Sequence, residues 1–436
     1  MSPLRRAFLC ATENPAGTPG NVVCSAPQYC YDRSPQSSIV GPFAMQHYDI
    51  AILGGGLVGY AFYLALPPAL RQRTVLLDAA PPPKAKHERR PPTLDDRGTA
   101  LNRRSLDLLR QLGVYDAVAP ELGLIEHIEV SQVGYWGVTD IAGPAPNGEP
   151  MGAVANNRQL GYALWQTAKG LAEPDALRHN TQVTHVQVNR EAAELTLADG
   201  RSMAVQLLIL ADGGRSGIAQ QLGIAQRQHD YAQTAFTLNL EREQPADGRA
   251  YERFSPDGPR ALLPLAGRRQ TLIWVTPTLQ SETAAQWTGA DWAEQVTDCF
   301  GYDQGRVTAV SAATQYPLTM KTSLELARPR LALLGNSAMT LHPVAGQGFN
   351  LHLRALYDLA QSLSFSDPGD SGPLLAWQAR TYQENHTVGW SCHSLVGLFS
   401  PNHPILSHAR GLGLAGFNAL NPLKRLLAKR AMGLNL

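Results

Sequence analysis

Tyr48-Asp49-Ile50-Ala51-Ile52-Leu53-Gly54-Gly55-Gly56-Leu57-Val58-Gly59 is the stretch that decides the fold. Tyr48–Leu53 is a short apolar run rich in β-formers. The pattern Gly54-x-Gly56-x-x-Gly59 follows at once, and AFYLALPPAL after it reads as a helix. Thr74–Leu77 reads as a second strand, closed by Asp78. Strand, glycine turn, helix and strand in this order and length form a βαβ unit. Each glycine has a task in such a turn. Gly54 permits the tight bend, Gly56 lets backbone approach a pyrophosphate, and Gly59 lets helix and strand pack closely. The helix N-terminus offers unpaired N–H groups and a positive dipole end to phosphates. Asp78 lies 24 residues beyond Gly54, placed to accept a hydrogen bond from a ribose hydroxyl. The unit predicts a dinucleotide site. A second match, Gly411-x-Gly413-x-x-Gly416, has no strand before it and no acidic partner after it, and is set aside.

Composition narrows the class around that unit. A chain of 436 residues accommodates two ordinary domains or one large interleaved one. Its 44% hydrophobic and 17% charged content fits a soluble globular protein with a sizeable core. A formal charge of +1 gives no global basic field, which argues against nucleic acid as a partner. No uncharged apolar run approaches the roughly 18 residues of a spanning helix. The five cysteines form no CxxC pair, which argues against a metal site and for a reducing, cytoplasmic setting. Residues 1–44 are rich in Pro, Ser and Gly and hold three of the five cysteines. They read as a disordered extension before Met45.

Further along, Ser105–Leu112 and Asn157–Gly170 read as helices, and Ile128–Val138 as strand. An Asp199-Gly200 hairpin turn leads into the apolar strand Gln206–Leu210, which ends in Ala211-Asp212-Gly213. Short strand signals dominate Thr234–Leu318, interrupted by one helix around Trp287–Cys299. Strand Leu331–Leu334 returns to the α/β pattern and runs into Gly335-Asn336, then His342-Pro343 and Gly346-Gln347-Gly348-Phe349-Asn350. Glycines in this last turn let bare backbone approach a ligand without a Cβ clash. His342 reads as a turn or buried histidine rather than an acid/base group.

These three ordered turns resemble the fingerprints of the class A FAD-dependent aromatic hydroxylases of the p-hydroxybenzoate hydroxylase type. The resemblance extends from Met45 nearly to the C-terminus. The second fingerprint is matched by Asp212-Gly213. The third is matched by Gly335-Asn336 and by Pro343–Asn350. The resemblance implies FAD bound by Gly54, Gly56, Gly59, Asp78, Asp212, Gly213, Asn336, Gly346, Gly348, Phe349 and Asn350, with Pro343, Gly346, Gln347 and Gly348 forming the flavin-ring environment. It also implies a flavin-contacting Arg97, matched through Asp96-Arg97. Asn336 stands where the family has Asp, keeping an acceptor but losing the charge. The implied reaction uses NAD(P)H and O₂ and passes through a C4a-hydroperoxyflavin that hydroxylates a phenol. No metal and no catalytic triad are required.

Within the family, the Gly335–Leu351 run, Tyr251-Glu252-Arg253-Phe254, Ala261–Leu265 and Ala431-Met432-Gly433 are similar to the ubiquinone-biosynthesis hydroxylases, most of all the 2-octaprenyl-6-methoxyphenol hydroxylase branch. The implied substrate is a polyprenylated phenol, and a ubiquinone-biosynthesis complex is an implied partner. His352 and Ala355 depart from the usual Gly and Asp of that branch. Two alternatives stay open: a sibling hydroxylase for another ring position or a small soluble aromatic, and a flavin-binding scaffold subunit.

Phe417, Leu420, Leu423, Leu426 and Leu427 form one helical stripe flanked by Lys424, Arg425, Lys429 and Arg430. It suits either peripheral contact with the inner membrane through 417–430 or packing on the core. The expected architecture is α/β (α+β overall). A Rossmann-like FAD-binding domain (45–128, 157–225 and 318–375) interleaves with a largely β substrate domain (129–156 and 226–317), and 376–436 is a helical C-terminal region.

Overall fold

A computed structural model describes residues 46–83, 97–135, 137–142, 150–342 and 346–399, with isolated positions between 424 and 433. The expected extension at 1–44 and the second glycine match at 411–416 lie outside the described residues, as do Asp96 and Pro343.

The first strand, Gln46–Leu53, is central in a sheet with parallel neighbours Thr74–Leu77 on one side and Ser202–Leu210 on the other. Leu331–Leu333 continues the sheet beyond Ser202–Leu210, also in parallel. The stretches Ile50–Leu53, Val75–Leu77, Leu207–Leu210 and Leu331–Leu333 are buried on both faces, which explains their unbroken apolar runs rather than an alternating pattern. The register is the consequential feature. Leu53 lies beside Leu77 and Leu210, and Leu210 beside Leu333. Four strands thus end level with one another. The residues that follow them, Gly54, Asp78, Asp212 and Asn336, come out along one rim. Open α/β sheets bind ligands outside the carboxyl ends of their strands.

The helix after the glycine turn, Leu57–Ala65, is buried from Gly59 onward. It packs against the helices Asn157–Leu171 and Gln347–Ser362, so it is apolar nearly all round. A Cβ at Gly59 would sit 1.8 Å from the Gly54 carbonyl oxygen, and only glycine allows helix and turn to meet this closely. Trp377, on the long helix Ser371–Phe399, is fully buried and its indole Nε1–H donates to the Ala355 carbonyl at 2.9 Å.

A second sheet of nine strands is antiparallel except where Arg249–Ser255 runs parallel to His127–Gln132. Its long strand Gln226–Arg242 pairs with Arg269–Pro277 and with Thr314–Ser323. That last strand continues past residue 317, so membership of the second sheet extends further along the chain than the sequence boundary placed it. The helix Gly289–Phe300 covers one face through a cluster including Phe236, Tyr251, Trp274 and Trp292. A third sheet of three strands, Gly98–Asn102, Gly152–Asn156 and Gly123–Ile125, was not foreseen. Its strands are short, and only their pairing brings them together.

Candidate active site

At the rim of the core sheet, Gly54 has φ +114°, and a Cβ there would lie 2.6 Å from the Ala211 carbonyl oxygen. That conformation and that contact both require glycine. The Asp78 carboxylate accepts from the Gly55 N–H at 2.7 Å and from the Ala80 N–H at 2.8 Å. It therefore braces the glycine turn as well as standing at the strand end. No side chain caps the helix that starts after Gly56, and a Cβ built on Gly56 meets nothing within 4 Å. Bare backbone, orphan N–H groups and open space coincide there, as a pyrophosphate requires.

Next along the rim, Asp212 gathers three donors. The Ser216 and Gly214 N–H groups donate at 2.6 and 3.0 Å, and the Ser337 hydroxyl at 2.8 Å. Burial would raise its carboxyl pKa, but the hydrogen bonds from Ser216, Ser337 and Gly214 outweigh it and leave the acid below the usual carboxylate range. Ser337 fixes the segment carrying Asn336, whose side chain is exposed at the rim. A Cβ at Gly213 would be 3.9 Å from the Asn336 Cβ, so the second and third turns touch.

Gly346 adopts φ +59° and starts the helix Gln347–Ser362. Asn350, one turn in, holds this start in place. Its Oδ1 accepts from the Asn102 N–H at 2.8 Å, and its Nδ2 donates to the carbonyls of Ala100 and Gly346 at 2.9 and 2.8 Å. Asn350 thus acts on the site by fastening the turn to the strand Gly98–Asn102. Gly348 has open space where a Cβ would be.

The Gly346–Asn350 turn, with Arg97, walls a cavity of about 540 Å³ whose opposite side is the second sheet. Ile128, Val130, Ile141, Leu263 and Ile273 give that side its apolar character, and Thr139, Thr237, Tyr316 and Glu252 are its polar members. Glu252 is half-buried, and burial pushes its carboxyl up to about 7. His342 and His352 are buried and held neutral, each lowered to about 4 chiefly by burial.

The chain matches the FAD binding domain family over residues 47–386. It is 32% identical to the 3-demethoxyubiquinol 3-hydroxylase of Escherichia coli, across 89% of this chain and 99% of the relative. The chain belongs to the FAD-binding monooxygenases. Ubiquinone hydroxylase UbiL of Rhodospirillum rubrum is likewise 32% identical, across 88% of this chain and 89% of the other. Among solved structures, p-nitrophenol 4-monooxygenase PnpA of Pseudomonas putida superposes with a TM-score of 0.71 at 14% identity, covering 89% and 98% of the two chains, and shares the fold.

As an FAD-dependent aromatic monooxygenase the chain binds FAD, and the geometry fits that cofactor. The rim supplies open space beside Gly56 and a polar row from Asp78 through Asp212 to Asn336. The bare backbone of the Gly346–Asn350 turn lies beside the cavity. Sequence reading missed the bracing of Gly55 by Asp78 and the Ser337–Asp212 bond, because neither partner carries a motif for it. Glu252 was legible in principle. In Ala250-Tyr251-Glu252-Arg253-Phe254 it shares a strand face with Ala250 and Phe254, a lone acid on an apolar face.

Proposed function

We propose that this monooxygenase hydroxylates the aromatic ring of a polyprenylated phenol in ubiquinone biosynthesis, with NAD(P)H as reductant and O₂ as oxygen source. The observation that carries the reading is the cavity. It joins the Gly346–Asn350 turn to an apolar sheet face, and its volume is within the range of small-molecule sites. Bound FAD supplies the electron transfer and oxygen activation. Gly54, Gly56 and Gly59 hold its pyrophosphate half, Asp78 the adenosine ribose, and Asp212, Gly213 and Asn336 the region beyond it. Arg97 with Gly346, Gln347, Gly348 and Phe349 would surround the flavin ring, and the family resemblance adds Pro343 to that environment. The apolar wall takes the prenylated ring and keeps water from it.

A second reading concerns ring position. The motifs resemble the 2-octaprenyl-6-methoxyphenol hydroxylase branch, whereas the Escherichia coli relative is named for 3-hydroxylation of demethoxyubiquinol. Quinone-lipid profiling of a deletion strain decides between them. An accumulated precursor lacking one ring hydroxyl is expected, and its structure identifies the position. An unchanged quinone pool refutes both readings.

Peripheral attachment to the inner membrane through 417–430 and a place in a ubiquinone-biosynthesis complex extend this proposal. Among the described residues there, Ala428 is buried, with Met432 just beyond the segment, against Ile141 and Met151, while Leu426 is exposed. No described helix is long and apolar enough to cross a membrane. Co-sedimentation with anionic vesicles, reduced when Lys424 and Lys429 are changed to Glu, is the expected result.

A further inference from the structure

We propose that Glu252 is the base that takes the phenolic proton during ring hydroxylation. This rests on the cavity being the seat of the phenol. Glu252 lies mid-strand in Arg249–Ser255, between parallel Val130 and antiparallel Ala261. Alternation along the strand fixes where it points. Ala250 packs with Ile125, Val154 and Leu263, and Phe254 with Val130 and Cys392. Tyr251 turns the other way, into the cluster with Phe236 and Trp292. Glu252 therefore stands on the cavity face and is one of its lining residues.

Its surroundings leave it without a structural task. No hydrogen bond or ion pair engages its carboxyl among the described residues, whereas neighbouring Arg253 is held by Glu129 on the opposite face. An unpaired acid on an apolar wall costs stability and needs a reason. The titratable groups around it are few. Cys392, from the helix Ser371–Phe399, is pushed up to about 11 by burial and then by the Glu252 charge. Arg97 and Tyr316 line the same cavity. Burial, with no charged partner, brings the Glu252 carboxyl to about 7, where a base works well at neutral pH. Among the described residues, Glu252 is the one carboxylate in the cavity lining, which holds no histidine.

The step balances simply. The phenolic O–H bond breaks and a Glu252 Oε–H bond forms while a ring carbon bonds to one oxygen atom of the O₂ that bound FAD and NAD(P)H would activate. The oxygen–oxygen bond breaks and the second oxygen atom leaves as water. The hydrogen lost from that ring carbon on rearomatisation restores the phenolic O–H. Glu252 returns that proton to solvent once product leaves. A phenolate-like ring is the better nucleophile, so the base assists only while oxygen is transferred.

The test uses the FAD-loaded full chain, comparing wild type with Glu252→Gln and Glu252→Asp. With a 2-methoxyphenol carrying one prenyl unit, wild-type hydroxylation rises with pH through a group near 7. Glu252→Gln loses that limb and falls roughly 10²–10⁴-fold in kcat/KM, with flavin reduction by NAD(P)H retained. Glu252→Asp retains the limb, and a fluorinated phenol already ionised at pH 8 closes most of the gap. An unchanged pH profile, or equal loss with both phenols, overturns the assignment. A binding measurement decides it without turnover. Bound 4-nitrophenol, followed by its phenolate absorption, should ionise about one pH unit lower in Glu252→Gln, because the carboxylate no longer opposes a second anion. Identical titrations in the two proteins overturn the proposal. Failure of the wild type to hydroxylate any phenol overturns the function proposed above, while the nitrophenol titration still decides the role of Glu252.

Discussion

At the residue scale, two glycines of one motif serve different ends, and substitutions should separate them. Gly56→Val places its side chain in open space, so the apo fold and its Tm should hold while FAD is lost, because the branch fills the pyrophosphate approach. Retained stoichiometric FAD after gel filtration would refute the placement. Gly59→Val drives a side chain into the Gly54 carbonyl oxygen and should destabilise the apo protein by about 1–3 kcal/mol or more, read by urea unfolding. The sequence showed all three glycines because the turn is local and its geometry has one residue solution. It also assigned Gly56 to the ligand and Gly59 to packing, and the contact a Cβ at Gly59 would make agrees with the second assignment. Ser337 was invisible, since its bond to Asp212 spans 125 residues.

At the element scale, the Gly346–Asn350 turn depends on one amide. Asn350→Asp keeps the acceptor that pairs with the Asn102 N–H but loses both donations, to Ala100 and Gly346. Each lost donation leaves a carbonyl unsatisfied and costs about 1–3 kcal/mol. The expected result is a lower Tm together with weaker FAD retention. Unchanged values for both would show that the turn is held some other way. The strands and helices themselves were largely legible, since Asn157–Leu171 and the Asp199-Gly200 hairpin carry plain signals. The three-stranded sheet was not, because Gly98–Asn102 and Gly152–Asn156 pair across about fifty residues and neither alternates cleanly. The end of the strand Thr314–Ser323 was blurred by Pro317 within it.

At the scale of the whole molecule, buried ionisable groups set how stability varies with pH. His342 and His352 have folded pKa values of about 4, below the unfolded value of about 6.5, so the unfolded chain binds more protons between them. Stability is therefore lost as pH falls through that window, by about 3 kcal/mol for each histidine. Glu252 acts oppositely. Its raised pKa makes the folded chain bind the extra proton, so its contribution favours folding at lower pH. Glu252→Gln removes this counterweight, and its Tm should fall more steeply than wild type between pH 7 and pH 4. Parallel slopes would contradict the burial of that carboxyl. A last consequence concerns synthesis. The first strand emerges from the ribosome early, but Leu331–Leu333, which completes the parallel sheet, follows about 280 residues later, roughly 15–60 s at ordinary elongation rates. Until then the nascent chain exposes an unfinished sheet edge and cannot close around its cofactor. A sheet edge left open for that interval, and insertion of FAD no earlier than the emergence of Leu331–Leu333, follow from the order in which the strands are made.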